Sequence, residues 1–84
     1  MIENYNEILN YSKLIFDDKE YDYILKLLND NKLNTLRLYI DEKIEFLNVE
    51  SVLKPNDPVL DTQLSMCNRL EDLVIDCYLE SLEN

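Results

Sequence analysis

Apolar residues recur at spacings of three and four almost from end to end of this chain, which is the period of an amphipathic α-helix and not the alternation of a strand. Ile2, Tyr5, Ile8, Leu9, Ser12, Ile15 and Phe16 share one face of a first predicted helix over about residues 2–16. Asp17, with Glu20 three residues on, reads as a capping box, so a second helix is expected over 18–29 with Tyr21, Ile24, Leu25 and Leu28 as its core stripe. The Asn29-Asp30-Asn31 run supplies turn-forming side chains, and Asn31 or Asn34 can cap a third helix over 32–53. In Lys54-Pro55-Asn56-Asp57-Pro58 the first proline ends that helix, Asp57 is placed to cap, and Pro58 suits the first position of a fourth helix over 58–82. The expected fold is all-α: one domain over 1–84, a small bundle of about four helices. The last two form a long antiparallel hairpin around the proline-containing loop.

Two of these helices carry more than a plain core stripe. On the third, Leu33, Leu36, Ile40, Ile44 and Leu47 make one apolar stripe, and Tyr39, Phe46, Val49 and Leu53 make a second, roughly 100° away at 3.6 residues per turn. A helix apolar on two sides is central in its bundle or shared with another chain. Tyr39, Phe46 and Leu53 are therefore candidates for a homodimer interface. On the fourth helix Leu60, Leu64, Cys67, Leu70, Leu73, Val74, Cys77 and Tyr78 cover one side, and Asp61, Asp72, Asp76, Glu80 and Glu83 gather on the other.

That gathering dominates the electrostatics. The chain carries 18 acids against 8 bases, a net charge of −10. Residues 57–84 hold seven acids (Asp57, Asp61, Glu71, Asp72, Asp76, Glu80, Glu83) against Arg69 alone, a net of −6. Any soluble amphipathic helix needs a charged outer face, and acids serve as well as lysines. Like charges at i and i+4, however, cost roughly 0.2–0.5 kcal/mol per pair, so mixed signs would be more stable, and an all-acidic row reads better as a binding surface. Its spacing of about 5–6 Å is comparable to that of successive phosphates on a nucleic-acid strand. Direct nucleic-acid binding is not expected, because the surface repels phosphates. Tyr23, after Asp22, points away from the second helix's stripe and Tyr11 lies at the edge of the first; an exposed tyrosine beside carboxylates suits a protein interface as well as it suits a core edge.

Composition narrows the class and excludes much chemistry. At 46% hydrophobic and 31% charged the chain is too apolar for a disordered acidic tail. It has no Gly, Ala, His or Trp, while Asn, Ile, Lys and Tyr number 29 of 84, a codon bias that points to an AT-rich bacterium, virus or mobile element. Without His there is no imidazole base or ligand, two isolated cysteines cannot build a usual zinc site, and without Gly there is no phosphate-cradling loop. No cofactor or metal is expected, and no enzymatic activity. Cys67 and Cys77, ten residues apart on one helix, are roughly 15 Å from each other, too far to pair, and read as buried free thiols. The N-terminus has no positive n-region and no apolar run reaches about 18 residues, so a cytoplasmic protein is expected.

Ile40-Asp41-Glu42-Lys43, the proline-containing loop and Cys67-Asn68-Arg69-Leu70-Glu71-Asp72-Leu73-Val74 resemble the helical hairpin of the small sporulation aspartyl-phosphate phosphatases, over about half of the chain. That family carries Ser-Gln-Glu-Leu-Asp; the matching positions here are Cys67 for the Ser, Asn68 for the Gln and Glu71 for the functional Asp, and the loop is longer. The resemblance implies binding to a phosphorylated receiver domain, with Glu71 as the residue that matters. The residues themselves point first to a non-enzymatic inhibitor or adaptor whose acidic helix (Asp61, Asp72, Asp76, Glu80, Glu83, with Tyr23) occupies a basic, normally nucleic-acid-binding site on a host protein. An antitoxin or immunity protein would use the same physics against a basic toxin.

Overall fold

Several helix boundaries in the computed structural model follow from local hydrogen-bonding devices. Residues 2–83 are described, with side chains from Tyr5 to Leu82. They form α1 (Ile2–Ile15), α2 (Asp18–Asn29), α3 (Leu33–Leu53) and α4 (Pro58–Glu83). The Asp17 carboxylate accepts the Glu20 backbone N–H at 2.8 Å, and the Glu20 carboxylate accepts the Asp17 N–H at 3.2 Å, which completes the capping box the sequence predicts. At the start of α4, Pro58 needs no donor and the Asp57 carboxylate accepts the Val59 N–H at 3.0 Å.

The second connection departs from expectation. Asn31 does not cap α3; it ends α2. With φ at 57° it takes the left-handed position of a Schellman turn, in which the Lys32 N–H donates to the Leu27 carbonyl at 2.8 Å and the Asn31 N–H to the Leu28 carbonyl at 3.1 Å. Glycine is the usual occupant of such a position, and this chain has none. Asparagine tolerates the left-handed region best among the other residues, and Asn56, with φ at 68°, fills the same role in the α3–α4 loop. Asn34 does not cap either: its side chain accepts from Arg37 at 3.0 Å, and α3 starts behind Lys32 with no side-chain cap.

Packing joins the helices into a closed ring of neighbours. α1 lies against α2 and α4, and α3 lies against α2 and α4, with no close backbone approach across the diagonals among the described residues. Ile8 of α1, Ile24 of α2, Leu36 and Ile40 of α3, and Leu70 and Val74 of α4 are fully buried in one shared core. Ser12 is buried with them, its hydroxyl donating to the Ile8 carbonyl at 2.7 Å. Seated between α1 and α3, α2 buries Ile24, Leu27 and Leu28, so its inward face is centred one position away from the expected stripe. Tyr21 and Leu25 are only half-buried at its edge. Both cysteines are free and buried. Desolvation pushes the Cys67 thiol up to about 11 despite the opposing charge of Lys43.

The four helices differ greatly in length. α3 has 21 residues and α4 26, against 14 and 12 for α1 and α2, so the α3–α4 hairpin outreaches its cover along the 43 Å axis. The junction of α1 and α2 meets α3 at Tyr39 and Lys43. Phe16 stacks on Tyr39 at 5.7 Å, Lys43 lies over the Phe16 ring at 5.6 Å, and the Tyr39 hydroxyl donates to Glu20 at 3.1 Å. α2 runs back from there toward the start of α3, leaving the outer side of residues 44–53 bare.

Leu70 is fully buried where α4 meets the core, so Leu70→Ala should cost about 2–5 kcal/mol, a large part of the ~5–15 kcal/mol total of a domain. Urea denaturation followed by circular dichroism measures it, and a loss below about 1 kcal/mol would move the core elsewhere.

Candidate functional site: the acidic face of α4

A row at i, i+4 and i+8 does not run straight along an α-helix, since each step of four residues turns about 40° past a full revolution. Asp72 and Asp76 are exposed on the outer face of α4, and by Glu80 the row has wound round to a flank where the side chain is half-buried. Leu79, 51% exposed, stands among them as an apolar side chain on the same surface. Asp61 is also exposed but precedes Asp72 by eleven residues, roughly 16 Å along the axis, with Ser65, Asn68 and Arg69 between. The expected row of five therefore resolves into the group Asp72, Asp76 and Glu80, with Asp61 apart. The side chain of Glu83 lies outside the described residues.

The base nearest this group is turned toward α1. Arg69 makes an exposed ion pair with Glu7 at 3.8 Å, so its charge is shared with an acid of the neighbouring helix. Exposed pairs of this kind contribute little stability, about 0–1 kcal/mol. With Arg69 offset by Glu7, the exposed Asp72 and Asp76 leave this side of α4 net negative.

Tyr23 is 42% exposed, as expected, but it sits on α2 with its ring edge-on to Tyr39 at 5.0 Å. α2 makes no close backbone approach to α4, so Tyr23 is not brought together with the carboxylates. The stripe of Tyr39, Phe46 and Leu53 divides as well. Tyr39 is half-buried between Phe16 and Tyr23, and burial together with Glu20 pushes its phenol up to about 12. Phe46 and Leu53 remain 57% and 72% exposed. The physical reason is the position of α2, which reaches Tyr39 and goes no further along α3.

Glu71 is the residue whose environment the sequence did not disclose. It sits on the flank of α4 that faces α3, where Asp41 lies beside it. Ionised, it leaves Oε2 buried without a hydrogen-bond donor. A proton retained on Glu71 removes that defect, because the acid can then donate to the Asp41 carboxylate. That hydrogen bond, followed by desolvation and the like charge of Asp41, pushes the Glu71 carboxyl up to about 7; Arg37 opposes the shift and Asp72 adds to it. An acid at i and i+4 on one helix is visible in a sequence. A pair formed across two helices is not.

Among the described residues no group of three or more His, Cys, Asp or Glu is placed to hold a metal. The groove of about 380 Å³ lined by Leu14, Pro58, Val59, Thr62, Gln63 and Met66 contains no titratable side chain. No described helix is long and apolar enough to cross a membrane. Fold and surface together define a small all-α bundle with an acidic outer helix. Comparison of the chain with protein-family models, curated proteins and solved structures finds no match. Of the positions that carry the resemblance to the sporulation phosphatases, Cys67 is fully buried and Glu71 is half-buried beside Asp41.

The sign of the Glu71 effect is fixed by its direction. Its folded value, about 7, lies above the ordinary 4.5, so the folded state holds more protons between those values and stability falls as pH rises through that window. Glu71→Gln should flatten the melting-temperature profile between these limits and raise stability at pH 8 by roughly 1–3 kcal/mol, after allowing for solvent screening. Asp76→Asn, on an exposed group, should leave the slope in place. A Glu71→Gln profile parallel to that of wild type would exclude a retained proton.

Proposed function

We propose that this protein is a non-enzymatic inhibitor or adaptor whose acidic α4 surface occupies a basic site on another protein, a site that ordinarily binds nucleic acid. The observation that carries the reading is the pair of exposed carboxylates Asp72 and Asp76 one turn apart on a rigid helix, with the half-exposed Leu79 beside them. Carboxylates on consecutive turns lie about 5–6 Å apart and present charge at a phosphate-like repeat. A protein interface also needs an apolar contact that desolvates the charges around it, and Leu79 offers one within the acidic patch. The net charge of −10 supplies steering toward a basic partner and repulsion from nucleic acid.

The partner is defined by its chemistry: a lysine- and arginine-rich surface on a host enzyme, a nucleic-acid-binding protein or a toxin. An antitoxin or immunity role is the same contact with a toxin as the target. An AT-rich source, phage or mobile element among them, is consistent with a chain whose purpose is to block a host protein.

Asp72→Lys/Asp76→Lys tests the proposal while sparing the partly covered Glu80. Both positions are exposed, so the helix content should not change, whereas association with the captured partner should slow by at least about tenfold and lose its salt dependence. Duplex DNA or RNA should compete with the wild-type protein for the same partner. A double-lysine variant that binds with wild-type kinetics, or a partner whose nucleic-acid binding proceeds undisturbed in the complex, would reduce this face to a solvated one.

A further inference from the structure

The bare outer side of α3 has a pattern of its own. Phe46, Val49 and Leu53 are 57%, 61% and 72% exposed, and their spacing of three and then four is the a, d, a of a heptad seam. Tyr39, one heptad before Phe46, is covered by Phe16 and Tyr23, so the free seam starts after it. Glu42, one heptad before Val49, closes it in sequence.

The charges bordering the seam say what fits it. From residue 42 to 54, Lys43 and Lys54 stand against Glu42, Glu45 and Glu50, a net of −1 in a chain whose total is −10. A strongly basic partner has no reason to choose this stretch over α4. A second copy of the chain does, since it is where two acidic molecules repel least. Lys43 and Glu50 lie seven residues apart, both at e positions on one flank; Glu45 and Val52 take the g positions on the other. Lys43 is already held at the seam, its ammonium 5.7 Å from the centre of the Phe46 ring. The exposed Glu50–Lys54 pair at 3.8 Å is weak enough to exchange for another.

We propose that two copies of this protein pair through this seam, their α3 helices antiparallel about a two-fold axis that passes between Leu47 and Asn48. In that register Phe46 of each copy packs on Val49 of the second copy, Lys43 of each faces Glu50 of the second copy, and Leu53 lies at the edge opposite Glu42, so every contact is formed twice. A parallel pairing instead sets Glu45 against Glu50 of the second copy, acid against acid, which selects the antiparallel arrangement. The Phe46–Val49 contacts, with Leu53 at the edge, make a small interface, and the dimer is expected to dissociate on the order of tens of micromolar or weaker. Because the two chains repel at long range, salt should tighten it, opposite to the salt response of the basic-partner contact on α4.

Sedimentation equilibrium of the full chain from about 10 to 500 µM, at low and high salt, tests the pairing. Wild type should dimerise and do so more tightly at high salt. Phe46→Glu should weaken the dimer by roughly tenfold or more with unchanged helix content, since it places a carboxylate in an apolar contact and the side chain is exposed in the monomer. Lys43→Glu and Glu50→Lys should each weaken it, and the double exchange should recover part of the loss. Asp72→Lys/Asp76→Lys should still dimerise, which separates this result from the fate of the α4 reading. A wild type monomeric throughout the range, a dimer indifferent to Phe46→Glu, or a double exchange no better than the worse single variant would overturn the proposal.

Discussion

The apolar seam between α3 and α4 is the contact on which the rest of the molecule depends. Leu36, Ile40 and Leu47 on one side and Cys67, Leu70 and Val74 on the other are buried. Helices of 12 and 14 residues are marginal alone in water and acquire their stability from tertiary packing. α1 and α2 are of that length, and each lays its inward face on one arm of the hairpin. The order of dependence is therefore the long hairpin first and the short pair upon it. This order also explains where the protein is unfinished: a cover shorter than what it covers leaves apolar side chains of α3 in water.

Negative charge is distributed in keeping with that architecture. The bases fall largely beside rings and at helix junctions, as Lys13 does 5.5 Å from the Tyr21 ring and Lys43 between Phe16 and Phe46. There they cover aromatic surface and contribute about 0.5–1 kcal/mol each at exposed sites. Few remain to offset the acids of α4. The concentration of negative charge on one helix is thus the complement of using the bases as structural partners elsewhere. The cost of that arrangement is self-repulsion, and at one place, where Glu71 lies beside Asp41, it contributes with burial to pushing the Glu71 carboxyl up.

Local devices were legible in the sequence because they depend on residues three or four apart. The Asp17–Glu20 capping box, the Asp57-Pro58 start of α4 and the core stripes of α3 and α4 are all of this kind. Asn31 was misread because a turn-forming asparagine can serve the helix before it or the helix after it, and the choice rests on a backbone angle that the sequence does not print. The candidate site was partly legible for the same reason. Exposure of Asp72 and Asp76 follows from their own helix, whereas the half-burial of Glu80, the covering of Tyr39 and the separation of Tyr23 from α4 depend on where a neighbouring helix ends. The Asp41–Glu71 pair joins residues thirty positions apart and has no local signature at all.

The two bare surfaces obey opposite physics, and that difference lets one small chain keep them distinct. On α4 the contact energy is largely coulombic, so it acts through the rate of encounter, reaches about a Debye length, roughly 8 Å at physiological salt, and weakens as salt rises. On the distal half of α3 the local charge nearly cancels and the gain comes from removing Phe46 and Val49, with Leu53 at the edge, from water, which salt does not screen. A basic partner of the proposed kind would be drawn more strongly to the first surface than to the second, and an identical acidic chain would be repelled least at the second. The proposed self-pairing through α3 would leave Asp72 and Asp76 free on each copy, so such a dimer would present two acidic helices to one target. Two such contacts on a single partner raise the effective concentration of the second, and a surface that binds modestly through one helix gains affinity with no change in its residues.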